Sequence, residues 1–295
     1  MDAFFLILKT LMTLIMLIII TIREKKMSYL EPKEFAIKMV DAGEQKIFMS
    51  TKDTLIRAFM AGAILALAAF FAITVIVKTG SPILGSVLFP VGFIMLYLMK
   101  YDLLTGVFTL VPLAVIDKRP GCTVKGMLRN WGLVFVGNFA GALTTAFFAS
   151  FILTYGYQID GGVIAEKVST IGESRTLGYK EQGIGGWFTI FIRGMLCNWM
   201  VSMGVVGAMI STSAGAKMAA MWMPIMLFFF MVFEHSIVNM FLFPFSMIMG
   251  GEFAISDYLL WNEIPTVLGN LAGGFLFVGL PIYYTHVRES KKRSA

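Results

Sequence analysis

Seven consecutive residues, Phe233-Glu234-His235-Ser236-Ile237-Val238-Asn239, set an acid, an imidazole, a hydroxyl and an amide side by side. Their flanks, residues 221–232 and 240–249, are apolar nearly throughout. Polar groups are costly at bilayer depth, so an ionisable cluster there points first to a permeation or proton path. An imidazole suits that chemistry, because its ordinary pKa lies near the physiological range. The competing reading is a buried polar cluster that only pins helices together. A second interruption, Lys100-Tyr101-Asp102-Leu103-Leu104-Thr105-Gly106, divides another apolar stretch. Non-helical backbone at that depth needs protein or a water-filled cavity to satisfy it.

The elements that position these residues are membrane helices. Of 295 residues, 58% are hydrophobic and 14% charged, and the mean hydropathy is +0.80. That balance belongs to a polytopic helical membrane protein. Twenty-nine glycines suit close helix packing in lipid. Two cysteines and two histidines give neither a disulfide framework nor a metal site, and no cofactor motif is present. The net charge of +6 gathers beside apolar spans rather than forming a nucleic-acid footprint.

In order along the chain, residues 1–26 form a hydrophobic extension ending in Arg23-Glu24-Lys25-Lys26. It reads as an anchor, a signal peptide or translated upstream sequence; a signal peptide fits least, for want of a small-x-small cleavage site. Met27-Ser28 looks like a natural start. Residues 27–53 hold an amphipathic segment (31–47) suited to a cytoplasmic membrane surface. Residues 54–288 form a domain of six membrane spans. Its spans are 55–77, a broken 83–116, 131–155, 187–210, a broken fifth carrying the polar heptad, and 264–284. Residues 156–185 read as an extramembrane loop, and 251–263 as an acidic outer loop. The basic 117–129 loop and basic tail, 289–295, fall on one side, the cytoplasm by the positive-inside bias.

Val136-Gly137-Asn138-Phe139-Ala140-Gly141 and Leu268-Gly269-Asn270-Leu271-Ala272-Gly273 match at a shift of 132 residues. The same shift carries Asp102 onto Glu234 and one broken span onto the other. Ile56-Arg57-Ala58 echoes Ile192-Arg193-Gly194 at a slightly larger shift. A three-span repeat must invert its topology, and paired broken helices in inverted repeats mark a transport site at the midplane.

Residues 233–240 with Arg193-Gly194-Met195-Leu196-Cys197-Asn198-Trp199, Asn130-Trp131, Gly137-Asn138 and Gly269-Asn270 resemble the formate/nitrite transporter family over about 31–288. The resemblance implies an all-α, aquaporin-like, homopentameric channel with one pore per protomer. It implies passage of a small monovalent anion such as formate, nitrite, hydrosulfide or bicarbonate. By resemblance, His235 is the central pore histidine, Asn198 faces it, and Leu104 and Thr105 belong to the loop of the broken second helix. Phe89 and Phe93 correspond to an outer hydrophobic constriction, Phe228 and Val201 to an inner one. Leu104 stands where the family has phenylalanine, which should loosen the inner constriction. The lysine that usually precedes the fourth helix corresponds most nearly to Lys180, although the aligned register falls nearer Gln182. Lys100 departs from the small apolar pattern of formate channels. It reads either as a fixed positive charge in the filter, or as a lysine that pairs with Asp102 or Glu234 or snorkels to an interface. Glu234, Asp102 and Asn239 read as loop-orienting residues, with Glu234 bonding His235 or backbone N–H groups.

These features predict a channel or proton-coupled transporter for a weak-acid anion in a bacterial cytoplasmic membrane, with permeant anion and protons as partners. Nitrite leads, with formate and bicarbonate close. Hydrophobic constrictions gate by dewetting, and transient protonation by His235 would lower the cost of carrying charge through an apolar pore. An aquaporin-like pore for neutral solutes is the alternative. An enzyme is disfavoured by the absence of a nucleophile–base motif.

Overall fold

The structure is a computed structural model in which residues 29–288, with Lys9 and Thr13, are described. The N-terminal extension therefore falls almost wholly outside the described residues, as does the basic tail.

Each long helix begins and ends where local chemistry dictates. Helix α1 (Pro32–Phe48) carries an N-terminal proline, which suits a position whose N–H has no helical partner. Helix α2 (Thr51–Thr79) starts where the Ser50 hydroxyl accepts from the Asp53 N–H and stops at Gly80 in the left-handed conformation. Twenty-nine residues at about 1.5 Å each exceed a hydrocarbon core of about 30 Å. After it come α3 (Pro82–Leu98), α4 (Leu104–Ile116) and α5 (Val124–Leu153), capped by Thr123. The second half follows with α6 (Gly162–Ser174) and the short α7 (Leu177–Glu181). Helices α8 (Gly183–Ile210), α9 (Ala214–Phe230), capped by Ser213, and α10 (Ser236–Ile248) come next. The chain closes with α11 (Ile255–Arg288), which contains π-helical turns at Leu259–Glu263, Phe275–Gly279 and Tyr283–Arg288. Helices α2, α5, α8 and α11 are long and apolar enough to cross a membrane, while α3, α4, α9 and α10 are shorter apolar pieces. The protein is thus an all-α, multi-pass membrane protein with the two broken spans expected.

Three expectations change. Residues 156–185 are not a plain loop, because α6 lies within them and packs on α10. Helix α1 likewise packs on α4, burying Phe35, Ala36, Met39 and Val40 against protein rather than lying only on a surface. Each half is therefore one amphipathic helix followed by three spans. The outer acidic loop also shrinks, since Glu263 is buried inside α11 and accepts from the Ser236 and Tyr258 hydroxyls.

The pairs α2/α5 and α8/α11 cross with their backbones touching. A Cβ on Gly141 would collide with the Phe59 carbonyl, and one on Gly273 with the Met195 carbonyl. Small residues permit such crossings where no hydrophobic drive separates helix from lipid.

Both broken spans stop in the same way. The Tyr101 N–H reaches back to the Leu96 carbonyl (2.9 Å) and the Lys100 N–H to that of Tyr97 (2.9 Å). In the second half Phe233 and Val232 repeat this with Phe228 and Phe229, at 3.0 and 3.1 Å. Such an ending needs a left-handed residue, usually glycine. Here the position holds Lys100 (φ 59°) and Val232 (φ 53°). A β-branched residue there is strained, by roughly 1–3 kcal/mol.

Candidate functional site

The chain restarts as α4 and α10, and one asparagine clamps each restart. Asn138 accepts from the Leu104 N–H (2.9 Å) and donates to the carbonyls of Asp102 (2.9 Å) and Ala58 (2.8 Å). Asn270 accepts from the Ser236 N–H (3.0 Å) and donates to the carbonyls of Glu234 (2.9 Å) and Gly194 (2.8 Å). These partners correspond through the sequence repeat. Each clamp satisfies buried backbone groups that the helix break would otherwise orphan.

The N-terminal ends of α4 and α10 thereby meet. Thr105 Oγ1 lies 3.4 Å from His235 Nε2, and both residues are buried. His235 Nδ1 accepts from the Val238 N–H (3.3 Å), capping α10. A neutral imidazole with Nδ1 accepting must carry its proton on Nε2, the nitrogen facing Thr105. Two helix N-termini, each with partial positive charge, and one ring N–H thus converge on a single point.

Around that point, the Phe228 ring stacks on His235 at 5.5 Å, and Phe89 meets Phe228 edge-on at 5.6 Å and stacks on Phe229 at 4.0 Å. Phe93 lies elsewhere, in the wall of a separate cavity with Leu103 and Val205. Phe89, assigned by resemblance to the outer constriction, thus touches Phe228, assigned to the inner one. Phe89 and Phe93 are four residues apart on α3, about 6 Å along its axis. Val201 and Leu104 are both buried. Asn198 does not bond His235. Its amide nitrogen donates to the carbonyls of Thr105 (3.1 Å) and Asn270 (2.6 Å), and its oxygen accepts from Ser202 (3.3 Å), itself 2.6 Å from the Thr109 hydroxyl.

Glu234 bonds neither His235 nor the backbone as expected. It pairs with Arg175 and takes further bonds from Asn239 (2.9 Å) and Asn262 (3.3 Å). Asp102 pairs with Lys46 on α1. Lys100 therefore pairs with neither acid; it is exposed and lines the cavity. Lys180 bonds Asp257 (2.8 Å), remote from that cavity. Asn239 also donates to Asn262 Oδ1 (2.7 Å) and accepts from Arg175 (3.1 Å), so it holds the heptad to its neighbours.

Lys46, Arg175, Asn130, Asn262 and Glu263 were not read from the sequence as site residues. Asn130 and Asn262 stand 132 residues apart and donate to the Lys46 and Arg175 carbonyls respectively, at 3.1 and 3.0 Å. The repeat register contained that signal. The cavity beside α1 holds about 590 Å³.

A sequence model described as formate/nitrite transporter matches residues 33–284. The chain belongs to the formate/nitrite transporter family. It is 31% identical over 275 residues to a probable formate transporter of Methanothermobacter thermautotrophicus, covering 89% of this chain and 99% of that relative. It is 28% identical to a formate channel of Bacillus thuringiensis, covering 89% and 98%. Among solved structures it resembles an FNT family ion channel (TM-score 0.71, 20% identity, 86% and 97% covered). It also resembles a pentameric formate channel with formate bound (TM-score 0.65, 22% identity, 79% and 96% covered). As a family member it is a transporter and not an enzyme.

Proposed function

We propose that the protein passes a small monovalent weak-acid anion, formate first and nitrite second, between Thr105 and His235. The observation that carries this reading is the convergence of two half-helix N-termini and the His235 Nε2–H on one buried point. Broken helices in inverted repeats present such ends to anionic groups. Formate takes precedence over nitrite because the relatives' names specify it. We assign Phe89 and Phe228 to the apolar gate next to His235, and Phe93, together with the buried Val201 and Leu104, to the gate toward the α1 cavity. Dewetting at such rings strips the anion of water, and the central donor then replaces part of the lost hydration.

Neutral His235 donates a hydrogen bond from Nε2 readily. Giving up a proton is different: it requires the imidazolium, whose Nδ1 could no longer accept from Val238. Proton coupling therefore alternates the ring between capped and uncapped forms. The alternative neutral-solute pore makes no use of the charges at the mouth. In assembly, five copies surround a common axis as the pentameric neighbour does. The α1 mouth faces the bacterial cytoplasm by the charge bias of the 117–129 loop.

In liposomes, His235→Phe should lower formate flux at least about tenfold and flatten its pH dependence, since losing a positioned donor costs about 1.5–3 kcal/mol. Full flux with the same pH profile would refute the role of the ring. Fast glycerol flux without formate flux would favour the neutral pore.

A further inference from the structure

We propose that the cavity beside α1 binds a polyvalent, phosphate-type oxyanion, distinct from the monovalent permeant, and that its occupancy closes this mouth of the pore. The binding statement stands on the cavity alone; the closing clause rests on the anion-conduction reading above.

Five cationic side chains line the cavity, Lys38, Lys46, Arg57, Lys100 and Lys217, against one carboxylate, Asp102. Lys46 is engaged with Asp102. The other four make no ion pair with any described residue. The net wall charge is thus +4, from five cations less one acid. Like charges around a low-dielectric concavity focus the potential and concentrate counter-ions. A monovalent anion offsets a quarter of that charge, whereas a phosphate dianion offsets half and offers several acceptor oxygens to separate donors.

The repeat shows how unusual this mouth is. In the second half Arg175 holds Glu234 as Lys46 holds Asp102, whereas Arg193, the counterpart of the unpaired Arg57, lies 5.8 Å over the Tyr179 ring. Lys100 corresponds to Val232, and Lys217 corresponds to Gly85 at the same shift, so these two cations belong to the first mouth alone. Lys100 also occupies a left-handed backbone position that favours glycine. Strained residues of this kind cluster at ligand clamps. Opposite it, Ser211 and Thr212 lead into α9, a 17-residue helix whose N-terminal turn, with Lys217, borders the same cavity. The volume, about 590 Å³, lies within the usual range of small-molecule sites.

The source of the oxyanion is either free phosphate or a phospholipid headgroup, and the experiment separates them. The full chain, purified in a neutral detergent, is titrated with inorganic phosphate against chloride at matched ionic strength, with thermal unfolding and calorimetry as readouts. Saturable binding of phosphate with a raised unfolding temperature, weakened at least tenfold in the Lys100→Gly/Lys217→Gln double variant and kept in Lys100→Arg, is the expected result. Formate flux into phosphatidylcholine vesicles should then fall as phosphate is added on the α1 side. If phosphate alone does not bind but stabilisation appears on adding mixed micelles of phosphatidic acid, a phosphate monoester, and is lost in the double variant, the headgroup is the source. Equal response to phosphate and chloride, or binding unchanged in the double variant, overturns the proposal. Phosphate binding without any formate flux would remove the transport reading and leave the site standing.

Discussion

Position 107 is valine where the repeat places Asn239 in the second half, and that one difference leaves two buried acceptors unmatched. Asn239 supplies donors to Glu234 and to Asn262 Oδ1. Their counterparts, Asp102 Oδ2 and Asn130 Oδ1, are buried without a hydrogen-bond partner among the described residues. Asn239→Val should remove one of three donors to Glu234 Oε2, the shorter of two to Asn262 Oδ1 and an acceptor of Arg175, costing about 1–3 kcal/mol. The apparent unfolding temperature in detergent would fall sharply. Val107→Asn should move it upward, by an amount corresponding to about 1 kcal/mol; a drop would mean that the valine site cannot take an amide. Val232→Gly relieves left-handed strain and should stabilise by about 1 kcal/mol in the same assay. At this scale the sequence revealed the acids Asp102 and Glu234 through the repeat, but not their partners. Lys46 and Arg175 sit in amphipathic segments among many other basic residues, and long side chains reach across space that spacing along the chain does not encode.

Among the elements, the six spans and both breaks were legible because hydropathy and interruption report directly on burial at bilayer depth. Helix α6 was not. The stretch around it is polar and glycine-bearing, yet Ile164, Ala165, Val168 and Ile171 recur at helical spacing, and that periodicity was the signal for a packed helix. The level of each aromatic ring was likewise unreadable, since Phe89 and Phe93 differ by one turn on a single helix. The asparagine clamps belong to this scale, as each binds three elements together. Asn138→Ala and Asn270→Ala should be about equally harmful, each leaving one N–H and two carbonyls with fewer partners and costing about 3 kcal/mol or more. Yields of monodisperse protein on size exclusion measure this. If only one variant suffered, the two breaks would not be equivalent in energy despite their matching geometry.

Across the whole molecule, the polar bonds sort by half. The side chains of Asn138 and Lys46 bond residues 58–104, and those of Asn270 and Arg175 bond residues 194–239. Bonds between the halves include those of Thr105 with His235 and Asn198, Thr109 with Ser202, Tyr97 with Val205, Tyr283 with Asp117, and Leu30 with Ile210. Cutting the chain between Gln158 and Ile159 should therefore give two pieces that, co-expressed, associate and restore formate flux; pieces that never co-purify would show the polar networks to be insufficient. The same sorting bears on biosynthesis. When the ribosome has released residues up to the end of α5, the first half already contains the donors and acceptors of its own break, and its unpaired apolar faces can rest in lipid. A growing chain can thus leave the translocon half-built without exposing a broken helix, and the conduction path closes only when the second copy of the same architecture arrives beside it.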